Sequence, residues 1–495
     1  MPTAPPSERE LDNYRDQADR FIAELDEEFY LHYAGLKDDF DIVRIYEAHS
    51  NLTTLDQAQA IGLAVNGGGR IRELWRFACE GYLGNLTRDH AQRVARTEAS
   101  LETTFDGETI PFRMLRPTIA NEPDRGKRVG LERVRQELTA EHLNPVYLQA
   151  AQETRDAVRR LGVDHQVDLY RKFGFGLDDL AAQCRALLDS TEKLWETHAD
   201  RLFRERTGVG LAEAGPADVP RLFRAEAWDS GFPAEKMVPA LEATLRDLGI
   251  DLASQANIHL DVEQRPKKDP RAFCAPIEVP GKVMLVIQPQ GGADDWRALF
   301  HEAGHAEHFG STSASLSVEE RRLGDNAVTE GWAMLMEHLT DNPVWLTRRL
   351  DFPRPAEFAA EGAINLLYFV RRYAGKLLYE LEFYVADDIE SMKTRYVEIL
   401  GDALKIDIAA DNYLSDIDPG FYVNAYLRAW AFEAQLRSYL REKFGNAWFA
   451  TRDAGSLLQE LWGEGQRLNA DEMLKEVTGA SIEMEAVAER IREAL

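Results

Sequence analysis

Between residues 7 and 50, Leu11, Tyr14, Ala18, Phe21, Ile22 and Leu25 recur at steps of three and four, with charged side chains between them. An α-helix turns once in about 3.6 residues, so this spacing lines one face and predicts amphipathic helix. The segments 55–65, 70–84, 88–105, 130–160, 177–206 and 234–249 repeat the pattern. They are punctuated by the glycines at 67 to 69, by "NEPDRGKR" (121–128) and by the turn-rich "GVGLAEAGPADVP" (208–220). One stretch departs from the habit: "KVMLVIQPQGG" (282–292) is a short apolar run, partly β-branched, closed by proline and glycine. It reads as a strand. No internal repeat appears, and the expected fold class is mostly α with a small β element.

Composition narrows the picture. With 495 residues, 44% of them hydrophobic, the chain can bury a large core and form two or three lobes. Against 85 acidic side chains stand 58 basic ones, a net charge of −27 that repels nucleic acid and anionic membranes. Neither is an expected partner. Cys79, Cys184 and Cys274 are few and widely spaced, which fits a reducing compartment and excludes a disulfide scaffold. No apolar run of about 18 residues occurs, and the N-terminus has no basic start followed by an apolar stretch. A cytoplasmic location is therefore expected. The acidic runs "ELDEE" (24–28) and "KDDFD" (37–41) read as solvated helix faces.

The candidate chemistry lies in "LFHEAGHAEHFG" (299–310), directly after the predicted strand. Asp294 suits the N-cap of a helix here, Asp295 its first turn and Gly310 its end. Trp296, Leu299, Phe300, Ala303 and Phe309 would form its buried stripe. On that helix His301 and His305 sit one turn apart and aim two imidazoles at one point, as a tetrahedral zinc requires. Glu302, beside the first histidine, is placed to take a proton from a zinc-bound water. A third ligand is needed. The spacing that uses a third histidine fails, because His308 and Ser311 occupy its glycine and histidine positions. The other large class uses a Glu on a following helix. Glu330 qualifies, on the helical stretch "DNAVTEGWAMLMEHL" (325–339), with Glu337 two turns later on nearly the same face. Glu319 and Glu320 fall in "SVEERRLG", expected as a loop, and are poorer ligands. His308 reads as a packing or supporting histidine, and Cys274 as a small buried residue. The strand 282–288 would either offer a free edge to a peptide backbone or serve as an ordinary core strand.

The run "RAFCAPIEVPGKVMLVIQPQGGADDWRALFHEAGHAEHF" (271–309) resembles the thimet oligopeptidase and oligoendopeptidase F family of zinc peptidases. Gly304 and His308 belong to the likeness, and "DPGFYVNAYLRAWAFEAQLRSYLREKFG" (418–445) is similar to the family's tyrosine-bearing C-terminal helix. The resemblance implies an elongated, two-lobed helical body with zinc deep in a central channel. Residues 1–250 would form the N-terminal lobe and 251–495 the catalytic one. It further implies one Zn²⁺ held by His301, His305 and Glu330, with Glu302 as general base. Tyr426, and after it Tyr422 one turn away, would supply the oxyanion donor. The chain is shorter than usual members, and its last histidine is His338, so the family's substrate-holding loop histidine has no counterpart. Tyr413 is the substitute considered. The expected activity is cleavage of internal bonds in short unstructured peptides. The alternatives are a carboxypeptidase of the same zinc class, for which Arg428 is the available carboxylate grip, and a peptide-binding scaffold without catalysis. The intact Glu302 counts against the scaffold.

Overall fold

The computed structural model describes residues 4–65, 69–224 and 226–495; Gly67 and Gly68, read above as punctuation, lie outside the described residues. The fold is mostly α, with two small sheets among the described residues. Contacts gather the chain into two compact units: residues 1–81, 226–362 and 425–494 in the first, and 82–225 with 363–424 in the second, which also takes Leu495. The segments interleave, and neither unit follows the boundary expected at residue 250. The reason lies in the packing of the first unit, where both ends of the chain hold the segment between the histidines and Glu330.

The first unit carries a three-stranded sheet of β3 (Ile258–Asp261), β4 (Phe273–Glu278) and β5 (Lys282–Val286), in the order β3-β5-β4. β3 runs parallel to β5, with Ile258 opposite Val283, and β4 antiparallel, with Cys274 opposite Leu285. The strand read from the sequence is thus the central one, with no free edge for a peptide. Val283 to Val286 are all buried, so neither face of the strand is left to water. β4 is an outer strand, which its Pro276 permits because that residue has no N–H to give to a ladder. Ala34, Ala275, Ile277, Met284 and Val286 form a small core here, under Tyr30 and Phe273. The N-terminal helix Glu8–Tyr33 packs on β4. Its acidic run is not all solvated: Glu28 is buried, bonded twice by Lys37 Nζ at 2.7 and 2.6 Å, and accepts from the Asp41 amide.

The histidine helix Ala293–Ser311 lies against β4, β5 and the helix Asn326–Glu337. Its N-cap is Gly292 (φ 91°), with Asp294 and Asp295 both in the first turn. Gly291 (φ 88°) and Gly292 make the sharp turn off the strand, in a region that residues with a side chain rarely adopt. The Asp295 carboxylate then accepts from the Gln290 and Gly291 amides, reaching back across the turn. Gly310 lies inside the last turn rather than past the end, because an added Cβ would meet Ile258 at 2.6 Å. Of the expected buried stripe, Trp296, Leu299, Phe300 and Ala303 are buried, while Phe309 is half-buried.

In the second unit the helix Leu177–Thr207 buries Leu180, Leu187, Trp195 and Phe203. Trp195 donates to the Leu404 carbonyl at 2.7 Å, and buried Arg371 donates to the Leu188 and Ala403 carbonyls. This unit also holds a hairpin, β1 (Glu102–Phe105) and β2 (Glu108–Pro111), where the end of a helix was expected. Its turn is Asp106-Gly107, both with positive φ, and Asp-Gly between alternating residues is a strong hairpin signal that helical periodicity had masked.

Candidate metal centre

The close approach of two helices builds the site. At Gly304, an added Cβ would stand 2.6 Å from both Ala333 Cα and the Trp332 carbonyl oxygen, so only glycine lets the backbones come this near. That approach brings Glu330 under the two histidines. The ligand atoms of His301, His305 and Glu330 all lie within 4.8 Å of one another. Glu330 Oε2 is 3.5 Å from His301 Nε2 and 3.9 Å from His305 Nε2. Ligands at about 2.0–2.2 Å from a tetrahedral ion stand roughly 3.4 Å apart, so the group fits one ion with small adjustments.

The other ring nitrogens are held. His301 Nδ1 lies 2.8 Å from Glu337 Oε2, and His305 Nδ1 lies 2.8 Å from Thr329 Oγ1. An ionised carboxylate only accepts, so Glu337 places the proton on His301 Nδ1 and leaves Nε2 as the ligand atom. Burial opposes the charge on Glu337, but the bond from His301 outweighs it and holds the carboxyl at about 2. Burial likewise lowers His301, yet its bonds to Glu330 and Glu337 carry it well above the ordinary histidine range. At His305 burial wins and pushes the ring down to about 4, which leaves it neutral and able to coordinate.

Glu302 points at none of these bonds. Its Oε2 accepts from the Cys274 amide of β4 at 2.9 Å, which fixes the carboxylate beside the histidine pair. Burial pushes it up to about 7, against the charge of His301 and the Cys274 bond. A carboxyl tuned near neutrality is suited to taking and returning a proton. Cys274 itself is half-buried, and burial first, then Glu302, raises its thiol well above the usual range.

The remaining sequence candidates fall elsewhere. Glu319 and Glu320 sit on a one-turn helix, Val318–Arg321, and not in a loop, because Ser317 and Glu320 close a capping box. Glu319 takes Arg15 at 2.7 Å. His308 is fully buried near Trp332, and burial pushes it down to about 3. Tyr422 and Tyr426 open the helix Tyr422–Phe444 and are half-buried; Tyr422 belongs to the second unit and Tyr426 to the first, its ring 6.0 Å from Trp430. Tyr413 is buried in the second unit, with its carbonyl accepting from the Tyr379 hydroxyl. Arg428 is committed: it bonds Asp325 at 2.9 Å and Asp471 at 2.8 Å. Asp325 caps the Glu330 helix, and also accepts from the Ala470 amide. Arg76 donates to the carbonyls of Leu323 and Gly324 just before that cap. Both ends of the chain therefore pin the helix that presents Glu330.

Sequence reasoning missed Thr329 and the Cys274 amide. Thr329 had a signal, being the neighbour of the proposed ligand on its own helix; the amide had none, since its partner lies 28 positions away. Comparison with known proteins finds no family model that matches the chain, and no curated protein that matches it.

Proposed function

We propose that this chain is a zinc-dependent peptidase that hydrolyses internal bonds of short unstructured peptides. The observation that carries the reading is the convergence of His301, His305 and Glu330 beside a proton-tuned Glu302. His301, His305 and Glu330 would hold the ion, and the N,N,O donor set is one that zinc favours in catalytic sites. When bound, the metal supplies Lewis acidity and lowers the pKa of a coordinated water toward neutrality. Glu302 accepts a proton at its carboxylate and returns it to the leaving amine. Glu337 and Thr329 keep the two imidazoles oriented. Tyr426, with Tyr422 as second choice, donates its hydroxyl to the developing oxyanion. The likeness of residues 271–309 to oligopeptidases supports the choice of peptides as substrates.

The carboxypeptidase reading loses its grip residue, because Arg428 is bound by two aspartates. Three free cysteines agree with a reducing, cytoplasmic setting, and no helix among the described residues is long and apolar enough to cross a membrane. The decisive experiment is metal analysis with a quenched-peptide assay, before and after chelation. Near-stoichiometric zinc, loss of cleavage on chelation and recovery on adding zinc are expected. A chain that binds zinc and leaves every peptide intact would sink the peptidase reading.

A further inference from the structure

On the N-terminal helix Glu8–Tyr33, Asp26, Phe29 and Tyr33 follow at steps of three and four and so share one stripe. Contacts at both ends lay this stripe along β4, within the first unit. At one end Arg322 bonds the Asp26 carboxylate and donates to the Pro276 and Ile277 carbonyls. At the other the Tyr33 ring lies 6.4 Å from that of Phe273, and the Tyr33 carbonyl accepts from the Asp269 amide at 2.8 Å. Between these ends the Cys274 amide turns off the strand and meets Glu302 at 2.9 Å. β5 fills one edge of β4, so the Cys274 amide and the Pro276 carbonyl both serve the other. The stripe and the proposed general base therefore flank the same outer edge, with Phe273 next in sequence to the residue that holds Glu302.

The stripe ends in an aromatic cluster. Phe29 stacks on Tyr33 with ring centres 5.9 Å apart, and Phe40 stands against them at 5.1 and 5.9 Å. Phe29, Tyr33 and Phe40 are 38, 38 and 36% exposed, and Leu36 beside them is 49% exposed. Single exposed apolar side chains are ordinary, but a contiguous group of them marks a binding surface. This one is also held in place. Lys37 and the Asp41 amide tie the loop 34–41 to buried Glu28. Gly35 (φ 70°) lets that loop pass so near Lys268 that an added Cβ would stand 2.7 Å from its amide nitrogen. Rings that are wet and already ordered lose little freedom when a ligand covers them.

We infer that Phe29, Tyr33 and Phe40 form a subsite for one aromatic or large aliphatic side chain of a peptide substrate, and thereby bias where the chain is cut. The identity of the occupant as a substrate rests on the peptidase reading; its apolar character rests on the cluster. Continuity of the cluster with Phe273, Cys274 and Glu302 favours a substrate side chain over a second copy of the protein. So does size. Four side chains, none more than half exposed, cannot supply the roughly 800 Å² per partner of a stable interface. Charge points the same way, because Asp38, Asp39 and Asp41 are exposed beside Phe40, and a two-fold contact would set them against their own copies.

The test gives the zinc-loaded chain a series of quenched eight-residue peptides, with Phe or Ala placed in turn at the two positions on each side of the bond cut. At one position Phe should raise kcat/KM about tenfold over Ala, and Tyr33→Ala with Phe40→Ala should bring that ratio to about one. The ratio is the readout because a loss of folded enzyme lowers both peptides alike and leaves it unchanged. Tyr33→Phe with Phe40→Leu keeps the apolar surface and should keep most of the ratio, which preserves the test if the double alanine variant does not fold. Peptide cleavage with no preference for Phe at any position, or a preference that survives the double alanine change, overturns the subsite and leaves the peptidase reading standing. Sedimentation over a range of concentrations checks the second copy: a dimer that the double alanine change dissociates also overturns it. Calorimetry of the Glu302→Gln chain with the Phe and Ala peptides separates binding from cleavage. If the Phe peptide binds about tenfold more tightly through Tyr33 and Phe40 while the chain with Glu302 intact cuts no peptide, the apolar site stands and the peptidase reading falls.

Discussion

At the scale of single residues, the proposed function divides the roles between holding the metal and moving protons, and substitutions should separate them. Glu302→Gln should leave zinc near stoichiometric while abolishing turnover, since that carboxylate bonds the Cys274 amide and handles protons without coordinating. Loss of zinc in this variant would overturn the assignment. Glu330→Ala removes a ligand and should lose metal; Thr329→Val and Glu337→Gln should weaken zinc by about 10–100-fold, because each orients a ligating ring. Metal titration distinguishes these outcomes, and unchanged affinity in all of them would place the ion elsewhere. Tyr426→Phe keeps the ring and should cost about 10²–10³ in kcat as a lost oxyanion donor. An unchanged kcat would reduce Tyr426 to packing. The histidine pair and Glu302 were legible because all three sit on one helix, where spacing is geometry. Thr329 had only its place beside Glu330 to mark it and the Cys274 amide had nothing, since the partners of both are set by how separate elements dock.

At the scale of elements, the distance between the histidine helix and the Glu330 helix decides whether a site exists. Gly304→Ala would put a methyl 2.6 Å from backbone that cannot rotate away. Overpacking of this kind costs about 1–3 kcal/mol, and the helices should part enough to weaken zinc as well. A thermal melt and a zinc titration would read both, and a variant with unaltered melting and affinity would mean that the approach is not limiting. The same helix carries Glu307, buried, bonded by Gln255, and pushed by burial from 4.5 to about 7. Between those values the unfolded chain has released this proton and the folded chain retains it, so stability falls as pH rises through the window, by up to about 1.4 kcal/mol per unit. Glu307→Gln should therefore lose less stability than the parent between pH 5 and 7.5 in denaturant melts. Identical losses would show that Glu307 does not titrate in this range. The expected elements held where periodicity was long, as in Leu177–Thr207. They failed at the hairpin 102–111, where a short Asp-Gly signal competed with the helical run before it.

At the scale of the whole molecule, the peptidase reading makes its own demand on substrate size. In the family that residues 271–309 resemble, the metal lies deep in a channel, and an extended peptide of about 3.3–3.6 Å per residue can thread one. A folded domain of 100 residues, with a radius of gyration near 13 Å, cannot. Cleavage of unstructured peptides up to roughly 20 residues is therefore expected, with denatured long chains largely spared. A length series read by mass spectrometry checks this, and efficient digestion of a long denatured protein would reject the oligopeptidase class while leaving the metal chemistry intact.

Sequence alone determined what depends on neighbours along the chain. It was enough for the helical character, the two imidazoles one turn apart, the carboxylate between them, and the strand just upstream, because each follows from a period of about 3.6 or 2 residues. Tertiary structure decided the rest. Only packing shows that β5 is central and that Arg428 is bound to Asp325 and Asp471. Only packing, too, interleaves residues 1–81, 226–362 and 425–494 in one unit, since contacts between distant segments leave no periodic trace in the sequence.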